Sequence, residues 1–210
     1  MRLSALVTEK ISCFDALRSE TRPVFIYGMG DGALKIMKEM RRRQIAVAGF
    51  FASDEFVRGH SFEGYRVHRL SEIESAADDF VDDFVIVLAF AAGYPELYDK
   101  ITELSKRHTL YAPDVPVAGE DIFDYEYYLA HSDELERLYL LLADDKSRAV
   151  LADIINYKIS GKISYLTAAQ TDKDEIYRDI LQVGQNESYV DLGAYNGDTL
   201  RELLSHTNGC

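Results

Sequence analysis

Apolar positions along the chain alternate between helical spacing and short unbroken runs, and that alternation predicts strands and helices in turn, an α/β arrangement. Leu3, Leu6, Val7, Ile11, Phe14 and Leu17 share one helical face, which predicts an amphipathic helix over Ser4 to Arg18 that stops before Pro23. Pro23 to Tyr27 is short, apolar and β-prone. It breaks at Gly28-Met29-Gly30-Asp31-Gly32-Ala33 into a helix with Leu34, Ile36, Met37 and Met40 as its apolar face. Arg41, Arg42 and Arg43 close that helix, where cations favour the negative end of the dipole, so this basic run reads as a solvated terminus. Ile45 to Phe51 is the next strand and ends at Ser53-Asp54. A glycine-rich loop then leads to an edge strand at Tyr65 to Val67, a short helix over Leu70 to Ala76, and a solvated acidic loop of Asp78, Asp79, Asp82 and Asp83.

Phe84 to Phe90 is apolar throughout and bounded by acids, the pattern of a parallel strand buried on both faces. Tyr94 to Arg107 follows as a helix and His108 to Tyr111 as a last short strand. Only three runs are apolar enough for the middle of a sheet, so Val24 to Tyr27 is expected at its centre, with Ile45 to Phe51 on one side and Phe84 to Ala89 on the other. Pro113, Pro116 and Gly119 punctuate the chain there. Beyond them it turns tyrosine-rich and helical, with a break near His131-Ser132-Asp133, where Ser132 or Asp133 can cap the second helix. The dense aromatics suit a core or a self-association surface of these helices. The expected organisation is an α/β protein in three parts: a doubly wound, Rossmann-like parallel sheet over residues 1–118, a helical connector over 119–165, and a partial strand-turn-helix segment over 166–210.

Composition narrows the function classes. The 210 residues carry 36 Asp+Glu against 23 Lys+Arg, a net charge of −13, which argues against a general binder of nucleic acid or anionic membrane. Cations and acids nearly balance up to Ala118, and the acidic excess lies from Gly119 onward. Two cysteines, Cys13 and Cys210, suggest neither a disulfide framework nor a metal cluster. Five histidines show no metal-binding spacing and no Gly-x-Ser-x-Gly is present, so no metal site and no serine nucleophile is expected. The longest apolar run, Phe84 to Ala92, is too short to span a membrane, and a soluble cytoplasmic protein acting on a small molecule is the expectation.

Two glycine turns carry candidate chemistry. Gly28-x-Gly30-x-x-Ala33 fits the dinucleotide fingerprint with alanine in third place, between a strand and a helix, and Asp54 lies where an acid would take a ribose hydroxyl. The nucleotide-binding candidates are therefore Gly28, Met29, Gly30, Asp31, Gly32 and Asp54, for a dinucleotide such as NAD or a nucleotide-sugar. The same turn also serves simply to pack the helix closely on the strand. The second turn is in Ser188-Tyr189-Val190-Asp191-Leu192-Gly193-Ala194-Tyr195-Asn196-Gly197-Asp198-Thr199-Leu200. Ser188 to Leu192 is expected as a strand and Asp198 to Ser205 as a helix, so the turn would present backbone N–H groups and a helix N-terminus to a ligand.

The spacing of Asp191, Gly193 and Gly197 resembles the first S-adenosylmethionine-binding motif of Rossmann-type methyltransferases, and Val-Asp-Leu-Gly-Ala-Tyr-Asn-Gly-Asp-Thr is similar to the FkbM family of methyltransferases. Leu142-Ala143-Asp144-Asp145-Lys146-Ser147-Arg148, leading through a helix to Tyr157-Lys158-Ile159-Ser160-Gly161, resembles the lead-in to the FkbM catalytic domain. More loosely, Pro23 to Ala89 resembles the N-terminal domain of nucleotide-sugar-modifying acyltransferases and epimerases. The FkbM resemblance implies methyl transfer from S-adenosylmethionine to a hydroxyl of a sugar or related metabolite. It places Gly193, Ala194, Tyr195, Asn196 and Gly197 against the methionine end of the cofactor, with Asp191 orienting the turn or its amino group. The acid that would hold the cofactor ribose, the acceptor site and a base have no residue to map onto, so no catalytic residue is assigned. The chain reads as the front part of such an enzyme, one expected to bind the cofactor weakly or not at all and not to turn over. A non-catalytic nucleotide-sugar or dinucleotide module is the alternative.

Overall fold

The computed structural model describes residues 2–57, 59, 61–75, 84–91, 95–119 and 121–207. Two compact units divide the chain, Met1–Ala169 and Gln170–Cys210.

The first unit is built on a six-stranded, mostly parallel sheet: β1 (Val24–Tyr27), β2 (Gly49–Ala52), β3 (Ser61–Phe62), β4 (Tyr65–Arg69), β5 (Val85–Leu88) and β6 (Thr109–Tyr111), in the order β3-β4-β2-β1-β5-β6. β1 is central, in register with β2 (Ile26 opposite Phe50) and with β5 (Ile26 opposite Val87). All residues of β1, β2 and β5 are buried, which explains why their sequences lack polar alternation. The edge expected at β4 is displaced outward by one strand. Glu63 and Gly64, both at positive φ, fold Ser61–Phe62 back antiparallel on β4.

Successive side chains of a strand point to opposite faces, and helices cover both. Val24, Ile26, Phe50, Val85 and Val87 pack with α1 (Cys13–Arg18) and α2 (Asp31–Arg42). Phe25, Tyr27, Phe51, Ile86 and Leu88 pack with α3 (Leu70–Ser75) and α4 (Pro95–Arg107). The four acids 78, 79, 82 and 83 lie outside the described residues. Arg41, Arg42 and Arg43 end α2 as its pattern implies; Arg42 and Arg43 both reach Glu39, at 2.7 and 3.5 Å.

The expected helix over residues 4–18 forms only in part. Leu3–Ala5 is a single 3₁₀ turn and α1 starts at Cys13, where the Ser12 hydroxyl accepts from Asp15 N–H at 3.1 Å. The intervening segment is held open by Asn156. Its Oδ1 accepts from Thr8 and Glu9 N–H at 2.9 and 3.0 Å, and its Nδ2 donates to the Leu6 carbonyl at 3.0 Å. Three side-chain bonds to the main chain outcompete the helical ladder that the apolar spacing favours.

The connector helices belong to the same compact unit as the sheet: α5 (Tyr125–Ala130), α6 (Ser132–Leu141), α7 (Asp145–Ser160) and α8 (Ile163–Ala168). Neither Ser132 nor Asp133 caps α6; its cap position is His131, whose side chain makes no cap bond. Tyr128 and Tyr139 are buried with Leu3, Val7, Ile155 and Ile159 in a core of their own. Asp144 caps α7 through Ser147 N–H at 2.8 Å, and Gly161, at φ 67°, ends it in the left-handed conformation. The Gly161 carbonyl accepts from Ala112 N–H at 2.7 Å, which ties α7 to the chain leaving β6. Cys13 is buried against this corner, and burial pushes its thiol pKa up, so it is a small core residue.

The second unit holds a π-type turn, Glu175–Ile180, and α9 (Asp198–His206). The strand expected over 188–192 does not form, since this unit contains no strand among its described residues to pair with it. A strand closes its backbone hydrogen bonds only inside a sheet. Val190 and Leu192 accordingly stand 78% and 94% exposed.

Candidate functional site

In the first unit, β1 runs into a turn where Gly28 and Gly30 take φ of 111° and 132° before α2 begins. The strand order reverses at β1, with β2 on one side and β5 on the other, and open α/β sheets bind ligands at the carboxyl ends of strands where the order reverses. The three glycines have different tasks. A Cβ on Gly28 would sit 2.5 Å from the Phe90 ring, and one on Gly32 would sit 2.4 Å from the Ala89 carbonyl oxygen. Both therefore serve close packing of the turn and of α2 against the end of β5. A Cβ on Gly30 would meet nothing within 4 Å, so at this position only the φ demands glycine.

Beside this turn is a cavity of about 280 Å³ whose lining includes Tyr27, Met29, Ser53, Phe56, Phe90 and Leu97. The Phe90 ring stands edge-on to Tyr27 at 4.8 Å, and Phe56, on the 3₁₀ turn after β2, is 57% exposed. The polar end of the cavity is the buried Ser53. Its Oγ lies 2.6 Å from the Tyr27 hydroxyl and accepts from Lys100 Nζ at 2.9 Å. Of the residues named from sequence, Gly28 and Met29 line the cavity and Gly30 does not. Asp31 is engaged with Lys35 at 3.0 Å. Asp54 accepts from Ser71 N–H and, at 2.6 Å, from Ser71 Oγ, so it caps the start of α3. That Ser71 hydrogen bond is the first reason its carboxyl sits below the usual range, and its free lone pairs still leave it able to accept a hydroxyl. Sequence reasoning missed Ser53, Phe56, Phe90 and Lys100. Phe56 carried a signal, an aromatic placed in the turn after a strand; Lys100 on α4 carried none.

In the second unit, the turn 193–197 forms without its strand. Gly193, Tyr195 and Gly197 have φ of 110°, 36° and 75°, and Gly197 is the cap position of α9. Thr199 Oγ1 donates to Asp191 Oδ2 at 2.5 Å, joining the entry of the turn to the first turn of the helix. Asn196 Oδ1 accepts from Asp198 N–H at 3.1 Å, and Arg201 donates to the Asn196 carbonyl at 2.7 Å. Asp191, Asn196 and Gly197 are thus brought together by local bonds, while Tyr195 is 93% exposed. The arrangement presents an acid, a glycine turn and a helix N-terminus, groups able to receive an ammonium and a carboxylate. Among the described residues no His, Cys, Asp or Glu cluster is suited to a metal ion, and no helix is long and apolar enough to cross a membrane.

No family model and no curated protein matches the sequence. Among solved structures, the crystal structure of the methyltransferase FkbM from Methylobacillus flagellatus KT is similar, with a TM-score of 0.56 and 18% identity over 99% of this chain. The chain spans 60% of the length of that protein. At this identity the likeness establishes a related fold: the α/β architecture here is one also found in an FkbM methyltransferase.

Proposed function

We propose that this chain carries the cofactor-binding turn of an S-adenosylmethionine-dependent methyltransferase of the FkbM type, acting in the cytoplasm on a hydroxyl of a sugar or related small metabolite. The observation that carries the reading is the turn 193–197, entered by Asp191 and running directly into α9, in a chain whose fold is shared with a solved FkbM methyltransferase. The cofactor supplies a sulfonium methyl for in-line displacement by the acceptor oxygen. The chain's own part is binding: Asp191 takes the methionine ammonium, and the backbone of Gly193, Ala194, Tyr195, Asn196 and Gly197 takes its carboxylate. Equilibrium dialysis with labelled S-adenosylmethionine tests this. Saturable binding lost in Asp191→Ala supports it, and binding that Asp191→Ala leaves unchanged refutes it.

The cavity beside Gly28 favours a second reading, that the first unit holds a nucleotide, nucleotide-sugar or NAD. The residues named for it are Gly28, Met29, Gly30, Asp31, Gly32 and Asp54, and loss of binding in Gly30→Val with the fold retained is its test. Self-association through α5 and α6 also belongs to the reading. Leu138 and Leu141 on α6 are 44% and 82% exposed, although the neighbouring Tyr128 and Tyr139 are committed to the internal core. Sedimentation of a Leu138→Glu, Leu141→Glu variant as the same species as the parent would dismiss it.

A further inference from the structure

Lys100, half-buried on α4, donates to the Oγ of Ser53, the residue that forms the polar end of the cavity beside Gly28. Its ammonium makes one hydrogen bond among the described residues, to Ser53 Oγ. An ammonium has three N–H donors, so two remain for an anion. Ser53 is itself buried and braced by the Tyr27 hydroxyl, which fixes the side chain that the lysine is bonded to. The other end is apolar and aromatic. Phe90 forms one wall, and Phe56 exposes more than half of its surface at the rim, where a flat ring would cover it. About 280 Å³ lies just below the roughly 300–1,000 Å³ of most small-molecule sites, room for about one nucleotide unit.

We infer that this cavity takes a mononucleotide, free or as the nucleotide half of a sugar conjugate, with its base between Phe56 and Phe90 and its phosphate on Lys100. The inference rests on the second reading above and sharpens it: the anchors are Lys100 and Phe56, which the glycine fingerprint does not include. Asp54, engaged with Ser71, is not needed by such a ligand.

Calorimetric titration of the full chain with AMP, UMP, UDP-glucose, NAD and inorganic phosphate tests it, with Lys100→Met, Phe56→Ala and Gly30→Val as variants whose folding is checked by circular dichroism. Phe56 is exposed, so Phe56→Ala reports on the ligand even if Lys100→Met is misfolded. The expected result is binding of a mononucleotide or of UDP-glucose, the two arms distinguishing the free nucleotide from its conjugate. Affinity should fall at least tenfold in Phe56→Ala and in Lys100→Met. Nucleotide binding lost in Gly30→Val but unchanged in the other two variants would overturn this inference and keep the second reading. Inorganic phosphate binding as tightly as the nucleotide would remove the role of the rings and overturn it as well. No binding of any nucleotide would overturn both.

Discussion

Replacing Gly32 by alanine sets two known effects against each other. Gly32 is the second residue of α2, and alanine there improves helix propensity by about 1 kcal/mol. The new Cβ, however, would lie 2.4 Å from the Ala89 carbonyl oxygen, where heavy atoms in contact rest at about 3.5 Å. The obstacle is main chain at the end of β5, not the tip of a flexible side chain, so the start of α2 must move away by roughly 1 Å. Overpacking of this kind costs about 1–3 kcal/mol. Because α2 also packs Ile36, Met37 and Met40 into the sheet, the movement is resisted and the cost belongs near the upper end. The net expectation is a loss of about 1–2 kcal/mol. At this chain length that corresponds to a fall in Tm of about 2–8 °C for the first unit. Urea unfolding followed by tyrosine fluorescence measures it. A Gly32→Ala protein as stable as the parent, or more stable, would refute the claim that Gly32 serves close approach of α2 to β5.

Asn156→Ala leaves three main-chain groups of residues 6–9 without their partner and is expected to cost about 2–4 kcal/mol, with proteolysis near residue 8 as the local readout. Gly161→Ala should destabilise the first unit as well, because φ is 67° and the added Cβ would stand 2.9 Å from Cys13 Sγ; urea titration of parent and variant measures the difference. Glu20 is held down to about 2 from 4.5 chiefly by its hydrogen bonds with Arg22, so its contribution is fully present above pH 4.5 and is lost as pH falls toward 2. The urea midpoint of Glu20→Gln should therefore fall less steeply than the parent's over that window.

How much could be read from the sequence depends on how local the cause was. β1, β2 and β5 were legible as the sheet's middle because burial on both faces removes polar alternation, and the helices α2, α4 and α7 because their faces or caps are written in neighbouring residues. The N-terminal helix was overestimated because its rival is Asn156, far along the chain. β3 was invisible, being two residues long. The Gly28 turn was legible as a turn, but which glycine packs and which is demanded only by its φ depends on Ala89 and Phe90, and Lys100 reaches Ser53 only through the fold. The Asp191 to Gly197 turn forms from its own side chains, whereas the strand before it needed neighbours that local sequence cannot supply.

The central claim is that the Asp191 to Gly197 turn receives the methionine end of S-adenosylmethionine. Amide chemical shifts of the labelled chain, followed while S-adenosylhomocysteine is added, test it at residue level. Because the turn lacks a paired strand, weak binding in fast exchange is expected, with saturable shifts at Gly193, Ala194, Tyr195, Asn196 and Gly197 and at least a tenfold loss of affinity in Asp191→Ala. No shifts at these amides, shifts confined to Gly28 to Gly30, or the same titration in Asp191→Ala would contradict it.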